Sequence, residues 1–478
     1  MLALYIILAA IAVLIAVVLI RTFAFRPKDL KKPEETQVEV DRQRAVENMQ
    51  QIIRCKTVSS RNPELVDEAE FSKFRELLKT LYPTFHERCE LKRIGPSGIL
   101  YFLKGQNSDS PCVFMSHYDV VPADESAWQK PAFEGIIEDG VLWGRGTLDT
   151  KITLLGALES AESLLKNGFV PKNDMYFSFS GDEEINGPSA PAIVDYLQQN
   201  GIKPAFVLDE GGAVVENVFP GVKKPCALIG TGEKGIMDVE LSLESNGGHA
   251  SAPPPHTLVG RLSAACVKVE KAPFKTRLTT PVAQMYDTLG RHSTFVYRMV
   301  FSNLWLFRPV LNMLCTKKGG EMNALMRTTC AFTMMKGSMS TNVLPNKASM
   351  VANIRIMGGD TTNSVIADLH KKIDDDSIKI NKIHGTDPSL FSRTDTPGWD
   401  ALKEAVNETW PKAIVSPYLM GAASDSRHFC RISDCVYRFS TMELTGEERA
   451  SIHGNDERIP IEKIVKTVAF YTRLMKKL

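Results

Sequence analysis

Val113-Phe-Met-Ser-His-Tyr-Asp119 decides how this chain is read. An apolar run ends in an imidazole, and a carboxylate follows two residues later. A buried strand leading into a His and an Asp has the make-up of a metal ligand with its orienting partner. Alone the pattern carries little weight, because a His near an Asp is common. It gains weight from Gly144-Arg-Gly-Thr-Leu-Asp149-Thr-Lys151, Gly181-Asp-Glu183-Glu184, Leu208-Asp209-Glu210-Gly-Gly212 and His453-Gly-Asn-Asp-Glu457 further along. Together these stretches offer two imidazoles and several carboxylates, the nitrogen and oxygen donors that suit a pair of zinc ions.

The surrounding pattern predicts where these groups sit. Short apolar runs at 112–115, 175–179, 205–208 and 435–439 predict buried strands. Helical spacing of apolar residues predicts helices over 150–166, stopped by Asn167-Gly168, and over 461–476, opened by Pro460. Strands alternating with helices predict an α/β catalytic domain with a mainly parallel sheet. His117 and the pair Glu183-Glu184 then follow strands and Asp209 ends one, where open α/β sheets bind ligands.

Residues 235–388 differ, with alternating strands and segregated helices, and predict a small inserted α+β domain. The expected division is an anchor and linker over 1–37, a catalytic domain over 38–234 and 389–478, and a lid over 235–388. Within the lid, 296–315 is conspicuously apolar. Two readings stand: a helix-packing or dimer surface, or a wall for an apolar substrate chain.

Composition excludes several classes. A net charge of +1 gives no basis for a nucleic-acid partner. Nine scattered cysteines form no CxxC pair and no disulfide framework. Residues 2–20 are apolar throughout, long enough as a helix (about 28 Å) to cross a membrane. No Lys or Arg precedes this run and no small-x-small site follows it, so a retained single-pass anchor is expected over a cleaved signal peptide. Arg21, Arg26, Lys28, Lys31 and Lys32 flank its C-terminal end, a bias that favours a cytoplasmic body.

Two zinc ions need a shared carboxylate and further donors on each side. Asp149, preceded by Gly144 and Gly146, suits the bridge. His117 and Asp209 could complete one ion, and Glu184 with His453 the other. A carboxylate beside the ligands, from the adjacent pair Glu183-Glu184, would take the proton of an activated water. The sequence alone does not say which of the two is ligand and which is base. Asp119 would bond the free nitrogen of His117.

From about residue 40 onward the chain resembles the di-zinc hydrolases that include aminoacylase, carboxypeptidase S and bacterial glutamate carboxypeptidase. Ser116-His-Tyr-Asp-Val-Val-Pro122, Trp143-Gly-Arg-Gly-Thr-Leu-Asp149, Leu208-Asp-Glu-Gly-Gly212, Gly247-Gly-His-Ala-Ser251 and Ser302-Asn-Leu-Trp-Leu-Phe307 look closest to the carboxypeptidase S branch, which also holds an N-fatty-acyl-amino-acid synthase/hydrolase. The resemblance implies two zinc ions held by His117, Asp149, Glu184, Asp209 and His453, with Glu183 as base and Asp119 beside His117. It implies His249 as an oxyanion donor, often across a dimer formed through the lid, and Asn342, Arg355 and Gly421 as substrate contacts. It also implies a ferredoxin-like lid of four strands and two helices, and a cis peptide after Asp149. The substrates would be N-acyl amino acids or short peptides, and the body extracytoplasmic, against the charge bias. Thr150 stands where relatives often have a second Asp, and Ile185-Asn186-Gly187 also departs from the pattern. Neither removes a ligand, whereas an inactive peptide-binding relative would have lost one.

Overall fold

The computed structural model describes residues 1–27 and 37–478. The expected linker over 27–37 therefore falls almost wholly outside the described residues. The strands that matter, in chain order, are β1 (Glu90–Ile94), β2 (Gly98–Leu103), β3 (Asn107–His117), β4 (Asn173–Ser180), β5 (Phe206–Val215) and β6 (Cys226–Glu233). They continue with β7 (Gly235–Glu244), β8 (Thr329–Lys336), β9 (Lys347–Ile356), β10 (Lys379–Thr386), β11 (Ile414–Met420) and β12 (Val436–Leu444). The helices used below are α1 (Leu2–Ala24), α2 (Lys151–Lys166), α3 (Leu258–Lys271), α4 (Thr280–His292), α5 (Phe295–Ser302), α6 (Leu304–Lys318), α7 (Gly320–Ala324), α8 (Thr362–Ile373) and α9 (Ile461–Lys477).

An eight-stranded sheet runs β1-β2-β4-β3-β5-β12-β6-β11. β3 pairs parallel with β4 and β5, β12 with β5, and β11 with β6. β1 and β2 close one side antiparallel. Cys112–Met115 of β3 is buried, as suits a parallel strand covered on both faces. On one of those faces α2 lies against α9. The contact is close because Gly156 has no side chain: a Cβ there would meet Thr467 Cγ2 at 2.5 Å. The last part of the chain thus returns strands and a helix to the first, giving one discontinuous catalytic unit with a common core.

The second sheet is antiparallel, in the order β8-β9-β7-β10, with α3 and α8 packed on it around a separate core. Its strands and helices follow the chain order β-α-β-β-α-β. The expected lid is therefore present, but not all of 235–388 belongs to its core. Val282, Met285, Tyr286, Leu289, Phe301 and Leu325 pack into the catalytic core instead. The apolar face of α4 lies on β11, the edge strand of the large sheet, and covers that edge. Phe301 of α5 then stacks near Tyr286 and Phe219, with ring centroids 5.2 and 4.7 Å away.

A second difference concerns β5. It does not stop at Leu208 but runs on to Val215, with an irregular register against β12 from Asp209 to Gly212. At Gly212 a Cβ would lie 1.8 Å from the Leu228 carbonyl, so only glycine fits that approach. α1 is 23 residues long and apolar enough to cross a membrane.

Candidate metal centre

His117 is the last residue of β3 and is 2% exposed. Its Nδ1 lies 3.0 Å from the carbonyl oxygen of Asp119, which can only accept, so Nδ1 carries the proton. That leaves Nε2 as the donor atom for a metal. Nε2 faces Asp149 Oδ1 at 2.9 Å and Glu210 Oε1 at 3.4 Å. The other oxygen of Asp149 faces His453 Nε2 at 3.1 Å, and His453 also meets Glu184 Oε2 at 3.0 Å. One carboxylate thus stands between two imidazoles that are far apart in sequence. The peptide bond between Asp149 and Thr150 is cis, as the resemblance implied.

The loop that delivers Asp149 is held by a residue the sequence reading did not single out. Glu457, fully buried, accepts from the amides of Gly146, Leu148 and Asp149 at 3.1, 2.7 and 3.2 Å, and from Arg145 Nη1 at 2.9 Å. Its signal was present, since it closes the motif that begins at His453.

Asp119 meets the His117 Nδ1 twice, through its carbonyl at 3.0 Å and through its carboxylate at 3.4 Å. That carboxylate also accepts Ser59 Oγ at 2.7 Å and the amides of Glu183 and Glu184 at 3.2 and 3.1 Å. One expectation needs correction: Asp209 turns its Oδ2 to the Ser426 amide at 3.1 Å. Glu210 is the acid that faces His117, and Asp209 joins neither potential metal group among the described residues. Adjacent strand residues point to opposite faces, so only one acid of the pair could reach the imidazole.

The charges make the case for a cation. Burial, reinforced by Asp425, Glu210 and Glu184, outweighs the pull of His117 and holds the Glu183 carboxyl well above its ordinary range. Burial and the neighbouring Asp149 lift Glu210 to about 8. Burial opposes ionisation of Asp149, yet bonds from His117 and His453 keep its carboxyl below the usual range. The same bonds from Asp149 and Glu184 raise His453 to about 10. Without a cation, protons must neutralise this crowd. Two divalent ions would instead match the four carboxylates of Asp149, Glu183, Glu184 and Glu210. Glu184 Oε1, buried with no partner, is a donor atom that fits such an ion.

The centre opens into a cavity of about 680 Å³ between the catalytic unit and the lid. Arg355 of β9 and Gly421 line it, with Arg355 Nη1 3.4 Å from the Gly421 carbonyl. Its apolar wall includes Val218, Leu228, Met285, Met322, Leu325 and Leu419. No residue of 296–315 is among the groups that line it. His249 and Asn342 lie outside the cavity, exposed on a short lid ribbon where the Asn342 carbonyl accepts the Ala250 amide at 3.0 Å.

A mainly parallel sheet whose loops gather two imidazoles and a ring of carboxylates is the framework of a metal-dependent hydrolase. The chain belongs to peptidase family M20/M25/M40, whose model matches residues 113–477. It is 34% identical over 481 residues to the N-fatty-acyl-amino acid synthase/hydrolase PM20D1 of Xenopus tropicalis, covering 98% of this chain and 93% of that one. It is 36% identical over 429 residues to a carboxypeptidase S-like protein of Dictyostelium discoideum, covering 88% of this chain and 82% of the other. Among solved structures, an M20 metallo-carboxypeptidase of Sulfolobus solfataricus superposes with a TM-score of 0.65 at 16% identity, covering 90% of this chain and 98% of that one. That likeness concerns the fold.

Proposed function

We propose that this protein is a di-zinc amidohydrolase that splits the bond between an acyl or peptidyl group and a C-terminal amino acid. The observation that carries the proposal is Asp149, one oxygen on His117 and the other on His453, at the floor of a cavity with an apolar wall and two arginines, Arg355 and Arg449. From the distances among them, His117, Asp149 and Glu210 would hold one ion, and Asp149, Glu184 and His453 the other. Zinc in that position supplies Lewis acidity and makes a neighbouring water acidic. Glu183 takes the proton of the attacking water and passes it to the leaving amine. Arg355, whose planar fork matches a carboxylate, holds the free carboxylate of the amino acid. Asp119 fixes the turn that carries Glu183 and Glu184.

The lid is read as ferredoxin-like, from its strand order and its two helices. His249 and Asn342, exposed on its ribbon, reach an active site when the lid closes or when it belongs to the other chain of a homodimer. α1 is a retained single-pass anchor, and the body lies on the extracytoplasmic side, in line with the carboxypeptidase S branch. The apolar wall favours long acyl chains, as the name of the Xenopus relative suggests. The test compares kcat/KM for acetyl and oleoyl amino acids and for their C-terminal amides. The oleoyl acids should be best and the amides poor. Equal rates on acids and amides would remove Arg355 from its role, and no hydrolysis of any amide bond would remove the function.

A further inference from the structure

The apolar segment that does not line the cavity still needs an explanation, and the end of α1 supplies it. Thr22 and Asn303 are both fully buried, one near the end of α1 and the other between α5 and α6. Asn303 Nδ2 donates to the Val18 carbonyl at 3.3 Å, and Arg21 Nη2 donates to the Ser302 carbonyl at 3.0 Å. Thr22 Oγ1 lies 3.3 Å from Ser302 Oγ, and the rings of Phe23 and Phe295 are 5.6 Å apart. Beyond the helix, the Arg291 guanidinium stacks over Phe25 at 4.4 Å and donates to the Arg26 carbonyl at 3.2 Å. The last two turns of α1 are thus bolted to the head of α5 and α6, with polar side chains closing on backbone carbonyls.

Geometry then sets a depth. The apolar run of α1 ends at Ile20, and Arg21 opens the basic flank that belongs at the membrane boundary. A bilayer spanned by α1 therefore reaches the level of Val18 to Arg21, and the parts of α5 and α6 docked there lie at its boundary. Their outward side chains suit that place. Val296, Trp305 and Met313 are 63, 57 and 60% exposed, and Val310 and Leu314 are exposed beside them. No Asp or Glu occurs between Asp287 and Glu321, while Arg298, Arg308, Lys317 and Lys318 do. An apolar face with Trp and basic residues at its margin is the composition of an interfacial helix.

We propose that α5 and α6 form a foot inserted into the outer part of the lipid bilayer beside α1, and that Trp305 sits among the acyl chains. The inference rests on the retained-anchor reading and adds a second, rigidly coupled membrane contact. It also gives the foot a use. α7 follows α6 after a break at Gly319 and adds Met322 to the cavity wall, with Leu325 just after it, so the chain that forms the foot runs on into the substrate cavity.

The test reconstitutes the full chain into phosphatidylcholine vesicles and compares plain with acyl-brominated lipid. The chain should float with the vesicles, its tryptophan emission should fall in brominated lipid, and Trp305→Phe should remove most of that fall. Zinc content should be the same for both proteins, which excludes misfolding. Flotation with quenching equal in the Trp305→Phe variant, or with none, overturns the foot and leaves the anchor. Failure to float overturns both.

Discussion

The carboxylate of Asp119 accepts the backbone amide of Glu184 at 3.1 Å, and its other oxygen accepts that of Glu183 at 3.2 Å. A buried side chain at the end of one strand therefore fixes the turn after another, which carries Glu184, the proposed metal ligand, and Glu183, the proposed base. Asp119→Asn puts an NH2 where one of those amides points. Turnover should fall about 10–100-fold while zinc stays bound. Steady-state kinetics with metal analysis checks this, and loss of metal in parallel with activity would contradict it.

Glu457 acts on the other side of the site. It gathers three amides of the loop ending in Asp149 and pairs with the buried Arg145. Glu457→Gln removes the charge that organises these donors. Zinc affinity, read by competition with a chelator, should weaken about 10–100-fold although Glu457 touches no ion. Unchanged affinity would show that the loop holds itself.

The two adjacent acids of β5 separate cleanly by experiment. Glu210→Gln should lower the bound zinc from two ions towards one, because Glu210 faces His117. Asp209→Asn should keep both ions, since Asp209 bonds the Ser426 amide. The reverse pattern, measured by metal analysis after dialysis, would restore Asp209 as the ligand.

Lys234 is buried in the cavity wall and donates to the carbonyls of Ala324 and Arg327 at 3.0 and 2.9 Å. Burial, helped by Arg355, lowers its ammonium to about 7. Between that value and an unfolded value of about 10.4, the unfolded chain holds a proton that the folded chain lacks. Stability from this group therefore rises with pH through that window and is flat below it. Denaturant unfolding at pH 7 and pH 9 should show the wild type gaining on Lys234→Met as pH rises. Parallel curves would contradict the burial argument.

Much of this was legible in the sequence for physical reasons. Buried parallel strands are continuous apolar runs, so β3 and β4 stand out, with His117 at the end of the first and Glu183 just beyond the second. The lid showed itself by its alternation. What the sequence could not show were choices made in three dimensions. Asp209 and Glu210 differ only in which face an irregular strand turns to the site. Glu457 and Asp149 meet across 308 residues, through contacts no local pattern encodes. Residues 296–315 were visible as apolar, but their neighbour is α1, at the other end of the chain.

The central claim is that Glu183 moves the proton in a site that holds two zinc ions. The direct measurement is zinc content and hydrolysis of an oleoyl amino acid by purified full-length protein and by Glu183→Gln. Both proteins should carry two zinc ions per chain, and the variant should lose at least ~10²–10⁴-fold in kcat. A variant that keeps its activity, or a wild type that hydrolyses the substrate with no bound metal, would contradict the account.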